Sequence, residues 1–204
     1  MNTEKLSKEK EKAIVDAARK RFGHYGFSKV TMEEIAVDVE MGKASLYYYF
    51  PTKESLFERV IQQEQDELAG EIEAIIQKNT PSDEKLIEYV KVRASFIQKL
   101  VNLGTLHVHS VIDNKSIYKK LFEEFEAKEL AFMKTIIDNG INEGIFRNDI
   151  DKEVPTVFLH ILQGLRFRVL KQQRELERSE KLITELQKEM NITINLILNG
   201  IKKK

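Results

Sequence analysis

The chain has 204 residues, of which 42% are hydrophobic, and its 33 basic and 33 acidic side chains give a formal net charge of zero. It contains no cysteine, which excludes disulfides and thiolate metal sites. Its charged N-terminus does not have the form of a signal peptide, and no run of about 18 apolar residues is present to span a membrane. We therefore expect a helix-rich cytoplasmic protein with no membrane partner.

Two short helices are predicted first in the chain. Apolar residues recur with helical spacing at 14–22 and again at 32–39, and the first of these helices should end at one of the two glycines that follow it. Thr31 and Glu34 have the spacing of a capping box, in which the two residues satisfy each other's hydrogen bonds at the start of a helix. Thr31 is thus the expected start of the second helix.

A third short helix is predicted at 43–50, within the segment MGKASLYYYFPTK. It must end at Pro51, because the residue before a proline is pushed out of the α-helical region. Successive side chains point about 100° apart around a helix, so its three tyrosines and Phe50 cannot all face one core. With the tight turn 39–42 before it, this helix completes a helix-turn-helix, whose second helix lies in the DNA major groove.

Longer helices are predicted in the rest of the chain. Their approximate ranges are 54–78, 83–103, 106–112, 116–143, 152–177 and 180–200. No β-alternation of useful length occurs, so the predicted fold class is all-α. We place a domain boundary at the proline corner, which gives domains of residues 1–52 and 53–204.

Residues 14–61, IVDAARKRFGHYGFSKVTMEEIAVDVEMGKASLYYYFPTKESLFERVI, strongly resemble the DNA-binding domain of TetR-family (TetR/AcrR-like) transcriptional regulators. The matching positions are Ala17, Ala18, Phe22, Gly26, Phe27, Thr31, Ile35, Ala36, Leu46, Tyr47, Tyr49, Phe50, Lys53, Glu54 and Leu56. The resemblance implies a three-helix DNA-binding domain followed by a helical ligand-binding and dimerisation domain. It also implies a ligand-responsive repressor without a cofactor, which binds double-stranded DNA at a palindromic operator as a homodimer.

The resemblance implies a set of DNA-contacting side chains. The expected contacts are Thr31, Lys43, Ala44, Ser45, Tyr47, Tyr48, Tyr49 and Lys53. Among them Thr31, Tyr47 and Lys53 match phosphate contacts, and the first residues of the third helix match base-reading positions, which suits a lysine, a methyl group and a hydroxyl. Leu46 and Phe50 match core positions.

The turn of the helix-turn-helix departs from the family pattern. The family commonly has Ala-Gly-Val-Ser where this chain has Val39-Glu40-Met41-Gly42. Glu40 does not have the conformational freedom of glycine, and Gly42 has no capping hydroxyl, so Gly42 itself is the expected N-cap.

The family resemblance also implies a small, largely apolar effector and a dimer interface in residues 53–204. The candidate pocket residues are Phe96, Leu100, Phe125, Phe132, Phe158, Leu162 and Arg166. Apolar stripes on the last two helices predict a four-helix dimer interface. Its candidate residues are Val157, Ile161, Leu165, Val169, Ile183, Leu186, Met190, Ile194 and Ile197.

Two other classes of function remain as alternatives. An all-helical enzyme has no nucleophile–base pair, phosphate loop or metal spacing in its favour. His107 and His109 lie on opposite sides of a helix, so we predict no metal site. The second alternative is an all-helical protein that binds a small molecule or a partner without binding DNA.

Overall fold

The computed structural model describes residues 2–99, 116–172 and 180–203, and within these ranges the chain forms eight helices and no β-strand. The helices are α1 (Asn2–Tyr25), α2 (Met32–Asp38), α3 (Lys43–Tyr49), α4 (Lys53–Gln77), α5 (Ser82–Lys99), α6 (Ser116–Asn142), α7 (Val154–Gln172) and α8 (Glu180–Ile201). The all-α prediction is confirmed. The predicted helix at 106–112 lies outside the described residues.

Local sequence signals account for the ends of the short helices. Gly26, which follows α1, has a φ of +81°, a conformation that glycine adopts without strain. Thr31 is the N-cap of α2, and its capping box with Glu34 is present as predicted. Gly42 is the N-cap of α3 without a side-chain hydrogen bond, which confirms the expectation for this residue, and α3 ends at Tyr49.

The chain divides into two compact units, Met1–Glu64 and Gln65–Lys204, which we call the N-terminal and C-terminal units. The division falls inside α4, so this helix begins in one unit and ends in the other. The predicted boundary between a DNA-binding domain of residues 1–52 and an effector-binding domain of residues 53–204 stays a prediction.

An aromatic cluster holds the N-terminal unit together. The Phe22 and Phe57 rings meet edge to face with centroids 5.2 Å apart, and the Phe27 ring lies 4.8 Å from Phe57. Leu46 of α3 is fully buried and Phe50 is nearly so. The apolar side of α3 therefore joins the core formed by α1, α2 and the first turns of α4, as predicted for these two residues.

The C-terminal unit is a helical bundle in which α5 packs against α6 and α8, and α7 packs against the same two helices. The end of the chain is tied to the α6–α7 connection by backbone hydrogen bonds. Arg147 N donates to Ile201 O and Lys203 N donates to Ile145 O, each at 2.9 Å. None of the helices in the described ranges has the length and apolar character needed to cross a membrane.

Candidate nucleic-acid interface

The turn between α2 and α3 is closed by backbone hydrogen bonds. Met41 N donates to Ala36 O at 2.9 Å, and Ser45 N donates to Gly42 O at 2.9 Å. Glu40 has a φ of 52°, which is the left-handed conformation that favours glycine. This turn thus keeps the shape that a glycine would give, at the cost of strain in Glu40.

Helix α3 has one buried side and one exposed side. Leu46 is 0% exposed, whereas Tyr48 is 84% exposed and Tyr47 is 37% exposed. Ala44 and Ser45 at the start of the helix are also exposed. Methyl, hydroxyl and aromatic groups therefore cover the exposed side of α3. Such small and hydroxyl-bearing side chains allow a helix to approach base edges and phosphates closely.

The hydroxyl of Thr31 already has a partner within the chain. It donates to Glu34 Oε2 at 2.9 Å, and the Thr31 amide donates to the same oxygen at 2.8 Å. These hydrogen bonds hold the pKa of Glu34 below its usual range, so its carboxylate stays ionised. A DNA phosphate at Thr31 would have to compete with this carboxylate, and the phosphate contact stays a prediction.

Lys53 also has partners within the chain. Its Nζ donates to Phe27 O at 2.9 Å and to Val30 O at 3.0 Å, and it lies 4.5 Å from the centroid of the Phe27 ring. The ammonium group therefore holds the connection between α1 and α2 in place. It has three N–H donors, so one remains for a phosphate.

Lys43 is paired with an acidic residue that the sequence analysis did not single out. Its Nζ lies 2.5 Å from Glu33 Oε1, and both side chains are exposed. The hydrogen bond raises the pKa of Lys43 and lowers the pKa of Glu33, so both groups stay charged. The Lys43 ammonium also lies 5.8 Å from the centroid of the Tyr47 ring. Base reading by Lys43 would require this ion pair to open.

A groove beside α3 brings in one further residue that sequence reasoning missed. It is lined by Lys10, Met41, Ala44, Ser45, Tyr48 and Tyr49. Four of these belong to α3, whereas Lys10 comes from α1, more than thirty residues earlier in the chain. No local sequence signal marks Lys10, because only the packing of the two helices brings it to this groove.

The predicted pocket residues occupy the interior of the C-terminal unit. Phe96, Phe125, Phe158 and Leu162 are buried, Phe132 is half-buried and Arg166 is 8% exposed, whereas Leu100 lies outside the described residues. Their contact with an effector stays a prediction.

A buried polar cluster in the same unit was not predicted from the sequence. Arg93 Nη1 donates to Glu129 and, at 2.9 Å, to the Tyr89 hydroxyl, which itself donates to Glu129 at 3.2 Å. An arginine and a glutamate within otherwise apolar helix faces are the signal that could have revealed this cluster.

The predicted dimer residues divide by burial. Val157 is 51% exposed and Ile161 is 39% exposed, and Leu165 and Ile197 are half-buried. Leu186, Met190 and Ile194 are buried within the chain itself, because they form the face of α8 that packs on α5 and α7. This differs from the expectation that they form a free stripe. The side chains of Val169 and Ile183 lie outside the described residues.

Two exposed apolar residues of α8 were not predicted. Ile192 is 50% exposed and Leu196 is 67% exposed, and they lie one helical turn apart. Val157 and Ile161 of α7, the helix that packs against α8, are exposed apolar residues as well. The signal in the sequence is that the end of α8 is apolar on more than one face.

Among the residues that the structure describes, no three His, Asp or Glu side chains come together as a metal site. His107 and His109 lie outside those residues.

Comparison with known proteins finds that the chain is similar to transcriptional regulators in both sequence and structure. The family model for bacterial regulatory proteins of the tetR family matches residues 14–60. The crystal structure of a transcriptional regulator from Cytophaga hutchinsonii ATCC 33406 has 38% sequence identity and a TM-score of 0.83, over 93% of this chain and 97% of that one. The HTH-type transcriptional regulator YhgD of Bacillus subtilis (strain 168) is 25% identical over 183 residues, which are 85% of this chain and 91% of YhgD.

A more distant structure shares the fold. It is the transcriptional regulator FadR from Bacillus subtilis in complex with stearoyl-CoA, with 17% sequence identity and a TM-score of 0.71. The similarity covers 93% of this chain and 98% of FadR.

Proposed function

Because the chain belongs to the tetR family of bacterial regulatory proteins and is a DNA-binding transcriptional regulator, we propose that it represses transcription as a homodimer on a palindromic operator. A small, largely apolar effector that binds in the C-terminal unit releases it from DNA. The observation that carries the proposal is the exposed surface of α3, where Ala44, Ser45 and Tyr48 are exposed and the hydroxyls of Ser45 and Tyr48 have no hydrogen-bond partner in the described part of the chain.

The proposed contacts divide into base reading and backbone positioning. Ala44, Ser45 and Tyr48 enter the major groove, whereas Tyr47 and Tyr49 bind phosphates through their hydroxyls. Lys43 reads a base after leaving Glu33. Thr31 and Lys53 also bind phosphates of the DNA backbone, while they keep the α1–α2 connection in place.

A second copy of the chain covers the exposed apolar surface of α7 and α8 in this proposal. Val157, Ile161, Ile192 and Leu196 form its centre. Exposed apolar side chains in a cluster favour burial against a partner, and the same surface on two copies gives a two-fold symmetric interface. Such a dimer presents two copies of α3 to half-sites about one helical turn of DNA apart, or a multiple of it.

Helix α4 is the proposed link between effector and DNA, because it begins in the N-terminal unit and ends in the C-terminal unit. The effector can weaken DNA binding only by as much as it prefers the arrangement that does not fit the operator. FadR, a protein of this fold, forms a complex with stearoyl-CoA, a ligand with a long apolar chain, and this supports an effector with an apolar part. Phe96, Phe125 and Phe158 are the proposed apolar lining.

DNA binding is tested with fluorescent duplexes from the region upstream of the gene, titrated at several salt concentrations. We expect a sequence-preferring complex whose affinity falls steeply with salt. The Tyr48→Ala variant should lose most of the preference, whereas Thr135→Ala, which changes an exposed residue of α6 in the C-terminal unit, should bind as the wild type does. Equal affinity for all duplexes would contradict the proposal.

The dimer is tested by sedimentation of Leu196→Glu, which places a charge in the apolar surface of α8. We expect this variant to be monomeric and to bind the operator far more weakly. Leu6→Glu is the matched control for sedimentation and should remain dimeric, since Leu6 is also an exposed leucine, at 52%, but lies on α1. A dimeric Leu196→Glu variant would show that the interface lies elsewhere.

A further inference from the structure

The first three turns of α1 lie outside the region that carries the family match. The helix begins at Asn2, whereas the match begins at residue 14. Residues 4–10 are all exposed, so core packing does not explain this extension. A helix is stabilised mainly by packing of its apolar face, and this exposed segment buries no apolar side chain. We therefore ask what its outward side chains can bind.

The groove described above, which we call the α1–α3 groove, connects this extension to the candidate DNA-binding helix. Lys10 forms one wall, and Ala44, Ser45, Tyr48 and Tyr49 form much of the other. The lining contains one cation and three hydroxyl groups but no carboxylate. Lys10 and the Tyr49 hydroxyl suit a phosphate group, since both Lys and Tyr are ordinary phosphate partners.

Lys10 differs from the other lysines of this surface in having no partner. Lys43 is paired with Glu33, and Lys53 donates to two backbone carbonyls. The side chain of Lys10 makes no hydrogen bond or ion pair within the described part of the chain. Glu11, which follows Lys10 in the sequence, pairs with Arg59 at 3.5 Å. The ammonium of Lys10 can therefore meet an anion without breaking any contact in the protein.

We propose that the α1–α3 groove holds a DNA backbone phosphate and that Lys10 is its cation. The inference rests on the proposed DNA binding through α3 and extends the contact surface beyond the residues that the family match covers. The contact fixes the position of α3 on the duplex and reads no sequence, as phosphate contacts do. In a homodimer it occurs twice, once in each half-site.

The test compares Lys10→Ala with Lys12→Ala in the full-length protein. Lys12 is the matched control, since it is an exposed lysine of the same helix without a partner in the described residues, and its loss changes the net charge equally. It lies about 200° around the helix from Lys10, on a face with Glu4, Lys5, Lys8 and Glu9. The probe is the tightest duplex that the wild-type protein selects from a random 30-base-pair pool.

We expect Lys10→Ala to bind this duplex about tenfold more weakly. The salt slope, which is the slope of log affinity against log salt concentration, should fall in magnitude by about two, or roughly 0.9 for each of two phosphates. The same loss should occur with an unrelated duplex, because the contact is to the backbone. Lys10→Arg should restore both affinity and slope. Circular dichroism should give unchanged helix content and melting temperature for all three variants, because neither lysine makes a contact that the fold needs.

Lys10→Ala with the affinity and salt slope of Lys12→Ala would overturn the inference while leaving the proposed function intact. A loss limited to the selected duplex would also overturn it, because it would indicate base reading. If the wild-type protein selects no duplex at all, the proposed function fails and this inference fails with it.

Discussion

The buried cluster of Tyr89, Arg93 and Glu129 predicts a large loss of stability in the variant Glu129→Gln. The side chains of Arg93 and Glu129 are only 3% and 2% exposed. Both charges have therefore lost their hydration, and each depends on the other. The pKa of Arg93 is raised even though burial acts to lower it, because the carboxylate of Glu129 stabilises the charged form. Glu129→Gln leaves this guanidinium buried without a counter-ion.

The expected cost is about 3–5 kcal/mol, the range found when one partner of a buried ion pair is removed. For a chain of this length each kcal/mol corresponds to about 2–4 °C in melting temperature, so the midpoint should fall by roughly 6–20 °C. Burial raises the pKa of Tyr89, so its hydroxyl stays protonated and cannot supply the missing negative charge. The measurement is urea unfolding followed by circular dichroism, with calorimetry for the midpoint.

The same reasoning predicts recovery when the whole cluster is made apolar. In the triple variant Tyr89→Phe, Arg93→Met and Glu129→Leu, no charge and no hydroxyl remains unpaired, and such replacements are often neutral. Glu124→Gln is the control, because it makes the same chemical change at an exposed position of α6. A Glu129→Gln variant within about 1 kcal/mol of the wild type would refute the argument, as would a triple variant no more stable than the single one.

Further predictions concern the DNA-binding surface, the left-handed conformation of Glu40 and the close approach of Gly140 to Phe146. Glu33→Gln should free Lys43, tighten DNA binding several-fold and steepen the salt slope by up to about one per subunit in fluorescence titrations; an unchanged slope would contradict this. Glu40→Gly should stabilise the chain by up to about 1 kcal/mol in urea unfolding, because it removes left-handed strain. Gly140→Ala should destabilise it by about 1–3 kcal/mol, since a Cβ there would overlap the ring of Phe146; the added change Phe146→Leu should relieve most of this cost.

The candidate site could be predicted from the sequence in part. Leu46 and Phe50 were correctly assigned to the core, since their spacing of four residues places them on one face of α3. The DNA-contacting residues came from the family resemblance, and their roles stay predictions. The partners of Lys43 and Lys53, and the position of Lys10, could not be obtained in this way.

The dimer surface illustrates the same limit. The stripe of Leu186, Met190 and Ile194 is a regular apolar pattern, but a pattern alone does not say whether its partner belongs to the same chain or to another. In the structure these three residues are buried within the chain, and Ile192 and Leu196 are the exposed ones. Which face of α8 is buried within the chain and which stays exposed depends on the neighbouring helices that pack against it.

The sequence by itself determined the helical character of the chain, the caps of α2 and α3 and the family, because periodicity, capping and turn chemistry act between residues a few positions apart. The tertiary structure alone decided which polar groups are already satisfied. Lys53 meets Phe27 O across 26 residues, and Arg93 meets Glu129 across 36. Such pairs form only when helices pack, and their packing also leaves Lys10 free beside α3. The physical reason is that helix formation follows local rules, whereas burial and charge pairing depend on the neighbours that the whole fold brings together.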